Sequence, residues 1–220
     1  MNCCKDFFNK VYNNYDKMNN KKIAVIGVGN MGGAIVTGLI KSGFIAASDI
    51  FVFDTRKSVL SDFKESGVTV AGQGYDAARN ADVIIVAVKP VYIEKVLHEI
   101  KPALNPGKIL ISIAAGISLS DLSGICGENI SIFRVMPNTA VAVQQSLTCI
   151  SGNTAGKADT EYVMQLFNQL GKTIEIDEGL MSAATVLSSC GIAFALRFIR
   201  AAAEGGVEIG FGAAEAGLSV

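Results

Sequence analysis

The sequence predicts an α/β fold: a doubly wound sheet followed by an all-helical C-terminal region. Apolar runs of strand length recur between residues 22 and 140, and segments of helical periodicity separate them. The first run leads directly into a glycine-rich turn and a helix. Beyond residue 179 the strands stop, and a long run of Ala, Leu, Val and Ile begins. We therefore expect two units, a sheet domain over 21–178 and the start of a helical domain over 179–220.

Composition excludes several classes of protein. The chain has 220 residues, 50% of them hydrophobic, and a net charge of −1 without a basic stripe, which argues against nucleic-acid binding. The longest purely apolar runs have strand length, so we expect no membrane partner. The five cysteines show neither metal-site nor disulfide spacing, which predicts no metal and a reducing, cytoplasmic compartment.

Residues 1–20 differ from the rest of the chain. They are rich in Asn and Lys and lack the long apolar stretch of a secretory signal. We expect a disordered or extraneous extension, with a short amphipathic helix as the alternative. Met18 precedes the first strand, so it competes with Met1 as the true start.

The first predicted strand, Lys22–Ile26, runs into Gly-x-Gly-x-x-Gly and a helix over Met31–Ser42. The first glycine permits the tight turn, the second lets backbone approach a pyrophosphate, and the third allows close packing of helix on strand. The N–H groups at the helix N-terminus then face the phosphates. This order predicts a dinucleotide site made of Gly27, Val28, Gly29, Asn30, Met31 and Gly32.

The second predicted strand, Ile50–Asp54, ends in a carboxylate 22 residues beyond Gly32, close to the spacing of a ribose-binding acid. An acid favours NAD, whereas the adjacent Thr55 and Arg56 favour the 2′-phosphate of NADP. We expect NADP(H), with Arg56 over the phosphate and Asp54 turned aside. NAD(H) remains the alternative.

Two further strands are expected to form the part of the cofactor site that holds the nicotinamide ring. Because ligands bind beyond the carboxyl ends of parallel strands, the strand over 82–90 places Ala87, Val88, Lys89 and Pro90 beside the cofactor. The strand over 108–116 ends in small residues that leave room for a nicotinamide, at Ile113, Ala114 and Ala115. The intervening segments are predicted as a strand over 68–70 and helices over 59–66, 75–80, 91–100 and 120–125.

After a sixth strand, Ser131–Met136, the chain changes character. Residues 141–151 predict one or two strands, 159–170 a helix and 173–176 a short strand. The following run, from Leu180 to about Ile209, is apolar all round, so it must be buried in a bundle or against another chain.

Six segments in this order resemble the pyrroline-5-carboxylate reductase family, and the resemblance covers residues 22–220. The segments are Ile26-Gly-Val-Gly-Asn-Met-Gly-Gly33, Ala87-Val-Lys-Pro90, Ser112-Ile-Ala-Ala-Gly116, Arg134-Val-Met-Pro-Asn-Thr139, Ala184-Thr-Val-Leu-Ser-Ser-Cys-Gly-Ile-Ala-Phe194 and Glu204-Gly-Gly-Val207.

The resemblance implies a Rossmann-type domain followed by a helical dimerisation domain, here expected to be truncated because the family continues further. It implies hydride transfer from NAD(P)H to the C=N carbon of 1-pyrroline-5-carboxylate, giving L-proline in a homodimer or larger homo-oligomer. Asn138 and Thr139 would lie at the substrate end, with Ser188 and Ser189 as further candidates. No proton donor is identified.

The chain departs from the family pattern at two places. Gly74 stands where an Asn commonly contacts the cofactor. The segment Ser188–Ala193 lacks the family's proline, so we expect its helix to bend less.

Two alternatives stay open at the level of sequence. One is another reductase of the same superfamily, acting on a hydroxy acid or on F420. Leu180–Arg197 contains no lysine to serve as acid/base, which argues against a hydroxy-acid dehydrogenase. The other is a truncated, non-catalytic NAD(P)-binding protein.

Overall fold

An eight-stranded sheet is the centre of the computed structural model, which describes residues 21–153 and 156–220; the extension over 1–20 lies outside the described residues. The strand order is β3-β2-β1-β4-β5-β6-β7-β8. The strands are β1 (Ile23–Ile26), β2 (Ile50–Phe53), β3 (Thr69–Val70), β4 (Val83–Val86), β5 (Ile109–Ser112), β6 (Ser131–Met136), β7 (Ser146–Gly152) and β8 (Gly171–Glu175).

The first six strands are parallel and follow the doubly wound order. β1 lies between β2 and β4, with Ile23 opposite both Ile50 and Val83. The order reverses there, so the crevice between the ends of β1 and β4 is the expected ligand position. Every residue of β1, β4 and β5 is buried, because helices cover both faces of the sheet.

Helices form the outer layers. They are α1 (Asn30–Ser42), α2 (Lys57–Lys64), α3 (Gly74–Arg79), α4 (Ile93–Ile100), α5 (Leu119–Cys126), α6 (Lys157–Asn168), α7 (Met181–Ala184), α8 (Gly191–Glu208) and α9 (Ala213–Leu218). One apolar layer includes Leu39 of α1 and Phe167 of α6. The other includes Ala77, Leu97 and Leu122, from α3, α4 and α5.

Two strands end earlier than the sequence predicted. β4 stops at Val86 rather than Lys89, and β5 stops at Ser112 rather than Gly116. The cause lies in β1, which leaves the sheet at Gly27 and so removes the neighbour of β4. The last bonds of this edge run from Ala87 N–H to Ile26 O, 2.8 Å, and from Ile113 N–H to Val86 O, 3.2 Å. The residues beyond are loops at the mouth of the site.

β7 runs antiparallel to β6, and β8 runs parallel to β7. The chain therefore leaves β8 heading away from the carboxyl edge and then turns back as a long helix beside β6. Glu178 contacts Arg134, Met181 packs with Met136, and Ser189 contacts Pro137. These contacts advance together along both elements, so the helix runs alongside β6 toward the carboxyl edge.

The long helix extends over Glu178–Glu208 and contains a π-helical stretch, Thr185–Cys190, between α7 and α8. A less bent helix was expected here because the family's proline is missing. The π-helical stretch is nevertheless a local departure from α-helical geometry, and it occurs in the absence of a proline. α9 folds back on α8, where Ala216 packs against Gly206.

The long helix is mostly exposed in the single chain. Its mean hydropathy reaches 1.7 in a window that is only 11% buried, so by length and composition alone it could cross a membrane. The large exposed apolar side chains of this helix are Leu180, Val186, Leu187, Phe194, Leu196, Phe198, Ile199 and Val207. Such a surface requires a covering partner.

Candidate active site

The glycine turn has the geometry that its three glycines predict. Gly27 has φ +91°, and a Cβ there would lie 2.7 Å from the carbonyl oxygen of Ala87. A Cβ on Gly32 would overlap the carbonyl oxygen of Gly27. Both positions therefore exclude a side chain, and the turn brings the start of α1 against the end of β4.

The start of α1 is open to an anion. Gly29 is its N-cap in extended conformation, and none of the described side chains caps the first turn, which also contains no acid. The first N–H groups of a helix have no partner within it, and the helix dipole favours negative charge there. Residues Gly29–Gly32 thus form a cradle that fits a pyrophosphate.

Asp54 lies beneath this cradle and is almost fully buried. Its Oδ2 accepts the N–H of Val28 at 3.1 Å and Nη2 of Arg56 at 3.3 Å. Its Oδ1 accepts the main-chain N–H of Arg56 at 2.9 Å and Nε at 3.2 Å. Burial alone raises the pKa of Asp54, but the hydrogen bonds and charge of Arg56, with the Val28 N–H, outweigh it and lower the pKa. The carboxylate faces the glycine turn and the guanidinium. That it turns aside from the phosphate of a bound cofactor stays a prediction.

Arg56 and Thr55 are exposed at the rim of the cradle. The guanidinium of Arg56 extends over the glycine turn, with Nη2 3.1 Å from where a Cβ on Gly29 would stand. Hydrogen bonding to Asp54 raises the pKa of Arg56, so the group stays charged. A fixed positive charge therefore lies beside the pyrophosphate cradle.

The predicted ring-side residues meet at the same edge of the sheet. Ala87 and Val88 are half-buried against Gly27, whereas Lys89 and Pro90 are exposed. Ile113 is half-buried, Ala114 is buried and Ala115 is exposed. Small and apolar groups thus line the crevice between the ends of β4 and β5, with Lys89 at its rim.

Three of the four predicted substrate-end residues make hydrogen bonds where the turn after β6 meets the π-helical stretch. Asn138 is buried; its Nδ2 donates to the carbonyl oxygen of Ser188 at 3.1 Å, and its Oδ1 accepts from Ala140 N–H. Ser189 Oγ donates to the carbonyl oxygen of Pro137 at 3.1 Å, and Ser188 Oγ donates to Ala184 O at 2.7 Å. Thr139, the fourth residue, is exposed beside them. The turn after β6 is thereby joined to the π-helical stretch.

A second connection between β6 and the long helix was not predicted from the sequence. Arg134 Nη1 lies 2.8 Å from Glu178 Oε1, which also accepts the N–H of Leu119 at 2.6 Å. Glu178 thus connects β6, the N-terminus of α5 and the start of the long helix. Arg134 is the one charged residue of β6 and has apolar residues on both sides, which was the available sign that it had a partner.

Gly74, which stands where the family commonly has an Asn, offers only main-chain groups at this position. Gly74 begins α3, and its N–H donates to Glu99 Oε1 at 3.2 Å. A Cβ there would lie 3.1 Å from the same carboxylate oxygen, so the Glu99 side chain would have to shift to admit a larger residue at this position.

The doubly wound sheet and the uncapped glycine turn define a nicotinamide-dinucleotide oxidoreductase fold, and comparison with known proteins agrees. Residues 22–116 match the family described as NADP oxidoreductase coenzyme F420-dependent. Residues 178–220 match the pyrroline-5-carboxylate reductase dimerisation family.

Full-length relatives give the particular family. The chain is 35% identical over 192 residues to a pyrroline-5-carboxylate reductase of Methanosarcina acetivorans, covering 86% of this chain and 71% of that protein. It is 34% identical over 212 residues to pyrroline-5-carboxylate reductase 1 of Dictyostelium discoideum, covering 91% of this chain and 38% of that protein. The NADP-bound Plasmodium falciparum pyrroline carboxylate reductase matches with a TM-score of 0.84 at 32% identity, over 91% of this chain and 74% of that one. The chain belongs to the pyrroline-5-carboxylate reductase family.

This result confirms the family, the Rossmann-type fold with its helical dimerisation region, and the assignment as an oxidoreductase. The dimerisation match covers the exposed apolar helix, which supports the expected homo-oligomer and explains that surface without a membrane. The chain spans 38% of the length of the Dictyostelium discoideum relative and 71% of the length of the Methanosarcina acetivorans relative.

Proposed function

We propose that this chain reduces 1-pyrroline-5-carboxylate to L-proline with a hydride from NADPH, with NADH as a poorer donor. One observation carries the proposal. An anion cradle lies at the switch point of the sheet, and the turn after β6 of the same sheet is joined, through Asn138 and Ser188, to a helix that matches the family's dimerisation region. The cofactor end and the substrate end of the site thus lie at the same edge of one sheet.

The cradle fits a dinucleotide on its own geometry. Gly29 to Gly32 present the open first turn of α1 to the pyrophosphate, and Gly27 shapes the turn. Thr55 and Arg56 are assigned to the adenosine ribose and its 2′-phosphate. Arg56 supports NADPH, because a guanidinium binds phosphate with charge-assisted hydrogen bonds.

The other predicted cofactor residues keep their roles in this proposal. Ala87 to Pro90 and Ile113 to Ala115 flank the nicotinamide side, where their small side chains admit a flat ring. When bound, the reduced nicotinamide supplies a hydride to the C=N carbon, and the C=N π electrons become the lone pair of the ring nitrogen in the product.

The chain's contribution is orientation and exclusion of water. A protonated C=N group is already electrophilic, so it needs little acid catalysis, and placing the reacting atoms supplies much of the rate. Asn138, Thr139, Ser188 and Ser189 are assigned to the substrate end. Because the amide of Asn138 is used within the chain, we assign it to holding the turn and the π-helical stretch in place.

The proposed organisation follows the two units predicted from the sequence. Residues 21–178 form the cofactor domain, and 179–220 belong to the helical region that pairs with a second copy. A homo-oligomer in the cytoplasm is proposed, with the small-molecule substrate and the nicotinamide cofactor as its other partners.

The test is reduction of synthetic 1-pyrroline-5-carboxylate by the purified chain. Loss of NADPH absorbance and appearance of L-proline by amino-acid analysis are expected in equal amounts, faster with NADPH than with NADH. Binding of NADPH without proline formation would overturn the proposal in favour of a non-catalytic NAD(P)-binding protein. Turnover with NADH alone would overturn the cofactor preference.

A further inference from the structure

We infer that Asp54 sets the preference for NADPH indirectly, by fixing Arg56 over the glycine turn, and does not itself bind the ribose. This inference rests on the proposed function, since it concerns how that site selects its cofactor. An acid at the end of the second strand usually accepts the ribose 2′-hydroxyl and so favours NAD. The contacts of Asp54 give it another role.

The acceptor capacity of Asp54 is already used. An ionised carboxylate has roughly four acceptor positions. Four N–H contacts are directed at Asp54: Val28 N–H, Arg56 N–H, Arg56 Nε and Arg56 Nη2, all between 2.9 and 3.3 Å. Only 7% of its side chain is exposed. A ribose hydroxyl would therefore have to displace one of these partners.

Arg56 is held on one side and open on the other. Nε and Nη2 each contact Asp54, and the remaining N–H groups of the guanidinium are left for a second anion. Its side chain is 61% exposed, so an incoming phosphate can reach it. The fixed planar group is pre-organised for a phosphate, which reduces the ordering cost of binding.

Asp54 also joins the two phosphate positions. The oxygen that receives Arg56 Nη2 receives the N–H of Val28, which lies inside the glycine turn. One carboxylate thus sets the guanidinium relative to the pyrophosphate cradle. Phosphates that are a fixed distance apart on one cofactor are best matched by groups held in this way.

Charge and positioning make opposite predictions for Asp54→Asn. If only net charge mattered, removing a negative carboxylate beside Arg56 would tighten NADPH binding. If position matters, the Asn amide cannot accept all four N–H groups, the guanidinium loses its orientation, and NADPH binding weakens. The sign of the change therefore decides between them.

The experiment measures dissociation constants for NADPH and NADH by cofactor fluorescence, in the wild type, Asp54→Asn, Arg56→Ala and the double variant. We expect Asp54→Asn to weaken NADPH at least about tenfold and NADH less than about threefold, comparable to the loss of one charge-assisted hydrogen-bonded contact. In the Arg56→Ala background, Asp54→Asn should change the NADPH constant little, because the two residues act as a unit.

Arg56→Lys is the second variant, for the case in which Asp54→Asn fails to fold. It keeps the charge but not the forked geometry, so it should lose most of the preference for NADPH. An unchanged preference in Arg56→Lys, tighter NADPH binding in Asp54→Asn, or a larger loss for NADH than for NADPH would each overturn the inference. These constants are measured without substrate, so they are independent of whether the wild type forms proline.

Discussion

Asn138 Nδ2 donates a hydrogen bond to the main-chain carbonyl oxygen of Ser188, 3.1 Å away and 50 residues further along the chain. The acceptor lies in the π-helical stretch Thr185–Cys190. The main-chain N–H of Asn138 donates to Ser146 Oγ at 3.1 Å. A single buried side chain therefore joins the end of β6 to the start of the helical region, at the place where π-helical geometry often accompanies function.

Asn138→Asp should impair substrate turnover more than cofactor binding. The substitution replaces a donor with an acceptor, so a carboxylate oxygen would face the Ser188 carbonyl. We expect the free energy of unfolding to fall by about 1–3 kcal/mol. We expect kcat/KM for 1-pyrroline-5-carboxylate to fall about tenfold or more, because positioning is lost, while the Kd for NADPH changes little. Urea unfolding, steady-state kinetics and cofactor fluorescence measure these quantities.

Asn153→Asp is the matched control for this substitution. Asn153 makes the same kind of contacts, with Nδ2 donating to Ile130 O at 3.1 Å and Oδ1 accepting from Ile132 N–H at 3.0 Å. It lies beside the opposite end of β6. Its substitution should cost comparable stability and leave kcat/KM unchanged; an equal kinetic loss in both variants would contradict the role given to Asn138.

Gly27→Ala should abolish the cofactor cradle. Its φ of +91° disfavours a side chain, and the new Cβ would meet main-chain atoms of Ala87 that have no freedom to move aside. We expect weaker binding of NADPH and NADH alike, by about a hundredfold or more if the turn moves by an ångström. Fluorescence titration measures both constants. Gly124→Ala is the control. Gly124 lies in α5, and apart from its chain neighbours and its own helix backbone no heavy atom lies within 4 Å of a new Cβ, so Ala should stabilise that helix by up to about 1 kcal/mol.

Glu178→Ala should destabilise the chain by about 2–3 kcal/mol, because hydrogen bonds to charged groups are the stronger ones. It removes the partner of Arg134, whose side chain is only 11% exposed, and the acceptor of Leu119 N–H. Urea unfolding at fixed protein concentration measures the change. Glu161→Ala removes an exposed pair with Lys157 at 3.8 Å and should cost less than about 1 kcal/mol. Equal losses in the two variants would show that the Arg134 pair contributes no more than a surface pair.

Phe198→Glu should dissociate the oligomer. Phe198 is 75% exposed in the single chain and lies in α8, within the region that matches the dimerisation family. Burying a carboxylate against a partner's apolar surface costs several kcal/mol, so we expect monomers in sedimentation velocity. Val91→Glu, at an exposed valine of the cofactor domain, should leave the oligomer intact. An unchanged oligomer in Phe198→Glu would place the interface elsewhere.

Elements with strong local patterns could be predicted from the sequence. The glycine turn, the six parallel strands and the long apolar helix follow from residue spacing alone, and the structure has them in the predicted order. The ends of β4 and β5 were placed too late, since apolar residues continue beyond the point where β1 departs. A strand end depends on its neighbour, and a single run of residues does not contain that information.

The side-chain partners in the site were less predictable. The spacing of Asp54 from the glycine turn suggested ribose binding, but the direction of its carboxylate depends on the competing N–H groups of Val28 and Arg56. The pairing of Arg134 with Glu178 links residues on elements that the sequence separates by two strands and a helix. Such contacts follow from the reversal of β7, which local patterns do not predict.

The long helix beside β6 couples ligand binding at the site to the association of two copies of the chain. Its first part holds Ser188 and Ser189 against the turn at Asn138, and its second part carries the apolar surface that a second copy covers. By thermodynamic reciprocity, any ligand that binds the paired form more tightly than the single chain must strengthen subunit association by the same factor. Catalytic activity per subunit should then depend on protein concentration, and dilution should act as an inhibitor that substrate and cofactor together relieve.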